Sequence, residues 1–141
     1  MSLGMGVMLG MLTGNASTVE AINRSLNKTI KEVRLFKNDH CDELILTLDD
    51  GTLLLRDSGQ SCCEFRYMTC DDDLPTFAGS KIVGVELRDA PSIEDGGYGG
   101  DHDVQFLVVR TTGGEIVCST HNEHNGYYGG FNVVADFAET T

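Results

Sequence analysis

Positive charge is scarce in this chain. Ten Lys and Arg stand against 22 Asp and Glu in 141 residues, a formal net charge of −12 at pH 7. A field of that sign repels phosphates at long range and excludes a module that grips duplex nucleic acid by neutralising its backbone. Long apolar runs are missing as well. The one stretch resembling a targeting segment, Leu3 to Leu12, is interrupted by Gly4, Gly6 and Gly10. It is too short to span a bilayer, and no Lys or Arg precedes it as a secretory signal requires. No disulfide framework is visible either. Cys41, Cys62, Cys63, Cys70 and Cys118 are odd in number, include an adjacent pair and lack the CxxC spacing of a structural zinc site. Reduced cysteines in a cytosolic protein are the expectation. Tryptophan is absent and proline occurs twice. Against these shortages, hydrophobic residues make up 40 % of the chain, enough for a single packed core and too many for wholesale disorder.

The pattern divides the chain into an N-terminal piece, residues 1–27, and a β-rich domain, 28–141. In the first, the Met-rich and Gly-spaced arm is either a frayed terminus or an apolar segment that docks on a neighbouring subunit. Ser17-Thr-Val-Glu20 reads as a capping box, and Val19, Ile22 and Leu26 at helical spacing predict a short helix over 18–26. From Thr29 the period changes to two. Strands are expected over 29–37, 43–49, 52–57, 61–69, 81–88, 103–111, 115–121 and 131–137. Asp50-Gly51 and Gly113-Gly114 mark two hairpins, and Asp71-Asp72-Asp73 before Leu74-Pro75 marks a short helical turn near 72–78. Leu44, Leu46 and Leu48 then share a core face with Leu53 and Leu55. The fold class is α+β, one compact and mainly antiparallel β-sheet with one short N-terminal helix.

In the second hairpin, Leu107 and Val109 share a face with Ile116 and Cys118. The opposite face carries Phe106, Val108, Arg110, Val117, Ser119 and His121, a mixed aromatic, cationic and hydroxyl surface suited to a ligand or a partner subunit. The densest chemistry follows it. Ser119 to Phe131 packs His121, Asn122, His124, Asn125, Tyr127, Tyr128 and Phe131 among three glycines, expected as a wide loop over 122–130. Amides offer donors and acceptors to a base or ribose, aromatic rings offer stacking faces, and glycines let the backbone approach. A rigid, hydrogen-bonded turn is the alternative for the same residues. An acidic protein that holds a phosphorylated ligand needs local Arg forks, and Arg66, Arg88 and Arg110 are the candidates. Cys118, His121 and His124 are spaced three apart, but on a strand running into a loop the first two point to opposite faces, so no metal site is expected. No cofactor is expected, and the chain offers no convincing acid–base–nucleophile set.

Ser61-Cys62-Cys63-Glu64-Phe65-Arg66-Tyr67, Asp72-Asp73-Leu74 and the late Thr120-His121-Asn122-Glu123-His124-Asn125-Gly126-Tyr127-Tyr128-Gly129-Gly130-Phe131 resemble a family of small phage proteins with a Cys-Cys-Glu and an Asn-Gly-Tyr-Tyr motif. Within it the chain looks most like the phage anti-Thoeris sponge proteins, the first anti-defence type, over about residues 28–135. The resemblance implies a protein of the infected bacterial host's cytoplasm that is not an enzyme. It would sequester a cyclic ADP-ribose isomer made by a TIR-domain defence protein. It also implies a homo-oligomer with ligand sites at subunit contacts and, in some members, separate sites for cyclic oligonucleotides. Two other classes remain open on the residues alone. One is an acidic phage protein that blocks a host protein directly, and the other is a hydrolase using His121 or His124 as general base.

Overall fold

The computed structural model describes residues 16–37, 42–57, 64–89, 93–94, 101–124 and 131–139. The arm, Cys41, Cys62, Cys63, Asn125, Tyr127 and Tyr128 lie outside the described residues. The chain runs through α1 (Ala16–Ser25), β1 (Ile30–Phe36), β2 (Glu43–Leu48), β3 (Gly51–Asp57) and β4 (Glu64–Cys70). A 3-10 turn (Leu74–Phe77) follows, then β5 (Ile82–Asp89), the two-residue β6 (Ile93–Glu94), β7 (Asp101–Thr111), β8 (Gly114–His124) and β9 (Val133–Glu139).

The strands form two antiparallel sheets, which corrects the expectation of one. The first has the order β1-β2-β3-β9 and the second β4-β8-β7-β5, with the short β6 paired to β7. The alternation of apolar residues specifies which face of each strand is buried; it leaves open how many layers share that burial. The core lies between the sheets. Leu44, Leu46, Leu53 and Leu55 from the first meet Met68, Ile82, Leu107, Ile116 and Cys118 from the second in one buried cluster. Each fully buried leucine contributes about 1.5–3 kcal/mol of transfer free energy.

Both hairpins turn one residue earlier than the sequence suggests. Thr47 pairs with Thr52 and Leu44 with Leu55, so Asp49 and Asp50 make the first turn and Gly51 opens β3. Thr111 pairs with Gly114, so Thr112 and Gly113 make the second. Each change moves the register by two residues, and a two-residue slip keeps every side chain on its face. The predicted core faces therefore hold. Gly51 is required less by the turn than by β9, because a Cβ there would stand 2.6 Å from the Ala138 carbonyl oxygen and the Phe137 ring.

α1 starts at Ala16, so Ser17 lies inside the helix and does not cap it. The Thr18 hydroxyl instead accepts the Ala135 N–H of β9 at 3.2 Å, and Ala21 and Ile22 are buried. The helix thereby covers the open edge of that sheet, where an unpaired strand invites other chains. It ends at Ser25, and Asn27 takes the left-handed conformation (φ 66°) common just beyond a helix C-terminus. The free edge of β4 is guarded by side chains. Met68 N–H donates to Asp42 Oδ2 at 2.9 Å, and its carbonyl accepts from Lys37 Nζ.

Candidate functional site

β8 extends to His124, three residues further than expected, and its Cys118–His124 part pairs with the whole of β4. Glu64, the last residue of the Cys-Cys-Glu triplet, stands opposite His124 in the register. At this end the outer face of the sheet carries a cluster of rings. Tyr67 and His121 are register partners and stack with centroids 4.5 Å apart and planes 6° from parallel. Phe65, 60 % exposed, meets Tyr67 edge-on at 5.1 Å. His102 of β7 lies 5.1 Å from His121.

Hydrogen bonds fix these rings. His121 Nδ1 and His102 Nε2 are 2.9 Å apart, and His121 Nε2 meets Thr69 Oγ1 at 3.0 Å. The Tyr67 hydroxyl donates to Glu123 Oε2 at 2.7 Å. Only one proton can lie between the two imidazoles. Burial, and next the neighbouring His102, hold His121 below its ordinary pKa; Lys37 adds to this and Glu123 opposes it. The sign of the linkage follows. A histidine with a depressed native pKa leaves the unfolded chain binding more protons as acid is added. Its contribution is complete above the unfolded value of 6.5 and is lost as pH falls below it. Thermal melting is therefore expected to drop between about pH 7 and 5, with a smaller drop in His121→Gln. Equal slopes in the two proteins would contradict this.

The inner face of the same end is polar and closed. Arg66 donates to Asp57 Oδ1 at 2.8 Å, with side chains 9 % and 5 % exposed respectively. The same oxygen accepts the Asn132 N–H at 2.7 Å, just before β9. Asn122, register partner of Arg66, is fully buried, and Thr120 Oγ1 donates to the Gln105 carbonyl at 2.6 Å. This ion pair ties the end of β3 to β4 and to the start of β9. The sequence reading puts Arg66 and Asn122 against a ligand, and the structure places both away from the outer face. The extension of β8 turns Asn122 inwards, and Arg66 fastens the two sheets together.

The remaining candidates are spread along the outer face. Arg88 grips Glu86 through Nε at 2.9 Å and Glu115 through Nη1 at 3.2 Å and Nη2 at 2.7 Å. These bonds push the arginine further above its usual range and hold Glu115 below the usual carboxylate value. Phe106 sits between Arg88 and Ser119 in the register and is half-buried. Arg110, with Glu115 at 3.8 Å, is six residues from the level of His121. That is about 20 Å along the strand, too far for one small nucleotide to touch both, whereas Arg88 lies within about 12 Å. Phe131 packs against the core cluster. The backbone of His124 is placed opposite Glu64 and Asp101, and its side chain lies outside the described residues. Cys118 faces inwards and His121 outwards, as strand alternation requires. Phe65, Tyr67, Thr69 and His102 are site residues that the sequence reading misses. Phe65, Tyr67 and Thr69 do alternate along β4, but nothing local says that β4 pairs with β8.

The fold and this face define a two-sheet antiparallel sandwich with a hydrogen-bonded aromatic–imidazole platform at one end. The chain belongs to the family described as a domain of unknown function, DUF7448, whose model matches residues 23–134. No curated protein and no solved structure matches it. Among the described residues no helix is long and apolar enough to cross a membrane.

Proposed function

We propose that the protein is a phage anti-defence sponge that binds and sequesters a cyclic ADP-ribose-type signalling nucleotide in the host cytoplasm, without catalysis. The observation that carries this reading is the Tyr67–His121 stack, flanked by Phe65 and His102, its two rings coming one from each motif segment. Parallel and edge-on rings on an open strand face suit the π-face of a nucleobase, at about 1–3 kcal/mol per stacked base. Arg88 supplies the charge for a pyrophosphate by exchanging Glu115 for the ligand. Arg110 lies beyond the reach of that ligand and fits a separate cyclic oligonucleotide subsite. A homo-oligomer would complete the sites at subunit contacts, as the motif resemblance implies. The alternative, an acidic inhibitor that blocks a host protein directly, is favoured by the charge of −12.

One experiment separates these readings. The purified protein is incubated with cyclic ADP-ribose isomers and cyclic oligonucleotides, filtered, then heat-denatured, and the small molecules are identified by mass. Intact ligand lost from the filtrate and recovered on denaturation is the expected result. A product of changed mass makes the protein an enzyme. Neither depletion nor conversion defeats the nucleotide reading and leaves a host protein as the target.

A further inference from the structure

The β4–β8 ladder determines which residue pairs have free backbone between them. Met68 points its N–H and carbonyl away from β8, to Asp42 and Lys37. On β8, Val117 points its N–H the other way, past the end of β4, where Asp72 Oδ2 receives it at 2.7 Å. Met68↔Thr120 and, two residues on, Cys70↔Cys118 are therefore non-hydrogen-bonded pairs of the ladder. Such pairs bring the two Cα atoms to about 4.5 Å, at the short end of the range of about 4.4–6.8 Å that a disulfide spans. Both thiols are free, Cys118 fully buried and Cys70 half-buried at the strand end.

We propose that Cys70 and Cys118 form a reversible dithiol–disulfide couple that is oxidised by low-molecular-weight disulfides. The Cys70 thiolate attacks the small disulfide, forming a mixed disulfide and expelling one thiolate. Cys118, deprotonated, then attacks Cys70 Sγ, closes the Cys70–Cys118 bond and expels the second. Two electrons pass to the oxidant, which leaves as two thiols carrying the two protein protons. The order of attack follows from exposure, since only Cys70 is reachable from solvent. Burial, followed by the adjacent Cys70 and Asp72, pushes the Cys118 thiol well above its ordinary value, which slows the closing step. It also makes Cys118 a poor leaving group, so the closed bond resists reduction through Cys70. The cross-link would join the two strands that carry Tyr67 and His121, fixing their register.

The test uses the full chain without any nucleotide. Native protein is treated with oxidised glutathione, alkylated with N-ethylmaleimide, digested and mapped by mass. A linked peptide pair containing Cys70 and Cys118, two hydrogens lighter than the separate peptides, is expected. Cys118→Ala should instead carry glutathione on Cys70. The oxidised wild type should also melt several degrees above the dithiothreitol-treated protein, a shift absent from Cys70→Ala. Recovery of Cys70 and Cys118 as separate alkylated or glutathionylated residues, or linked to Cys41, Cys62 or Cys63, overturns the proposal. The wild-type map decides this even if an alanine variant fails to fold.

Discussion

Replacing Asp57 or Arg66 alone with alanine is expected to destabilise the fold by about 3–5 kcal/mol, read as a lower urea midpoint at neutral pH. The magnitude comes from the charge left behind. Both side chains are more than nine-tenths buried, and each is the other's counter-ion across the two sheets. Removing Arg66 leaves the Asp57 carboxylate in the interior with the Asn132 N–H among its donors. Removing Asp57 strands a guanidinium that cannot shed its proton. Asp57→Leu combined with Arg66→Met removes both charges, and its stability should return to near the wild-type value. A cycle closed with the singles Asp57→Leu and Arg66→Met therefore predicts a coupling energy close to the sum of the two single losses. Single variants within about 0.5 kcal/mol of wild type would show that the pair does not hold the sheets. The double variant also separates stability from binding, because the sequence reading offers Arg66 as a phosphate ligand. Capture retained by a stable double variant would confine Arg66 to the fold.

Tyr67→Ala should weaken nucleotide capture about 10- to 100-fold, the loss expected for one stacked base, while melting changes little. Tyr67 is half-buried on an outer face, so its removal opens no core cavity. Two effects add on the ligand side. The stacking surface disappears, and His121 loses the ring parallel to it while Glu123 loses the Tyr67 hydroxyl. Tyr67→Phe keeps the ring and drops only the bond to Glu123, so it should retain most of the affinity. Equal loss in both variants would assign the effect to Glu123 orientation. No loss in Tyr67→Ala would place the ligand elsewhere on the protein.

Parts of this architecture are legible in the order of residues alone. Alternating Leu44, Leu46, Leu48 and Leu53, Leu55 announce a buried hairpin, and all five are buried. The mixed outer face of β7 and β8 is legible too, because Phe106 pairs with Ser119 and Val104 with His121. The expected turn positions are each one residue late, an error that alternation forgives because a register step of two leaves the faces unchanged. The site is harder to read. His121 stands out in the sequence, but its partners Tyr67 and His102 lie 54 and 19 residues away. Asn122 reads as a loop residue, whereas β8 continues through it.

The sequence by itself determined what short-range chemistry can encode. Period-two alternation set the strand faces, adjacent hairpins set the local pairings, and the excess of acid set the sign of the surface field. Tertiary structure alone decided that there are two sheets, that β4 pairs with β8 and that β9 returns to β3. Those pairings join segments dozens of residues apart, and side-chain periodicity along one strand carries no information about which distant strand will lie beside it. They are chosen by the packing of whole faces against each other, after the entropy of closing the long loops between them has been overcome. The Tyr67–His121 stack, the Asp57–Arg66 pair and the apposed Cys70 and Cys118 all arise from that choice.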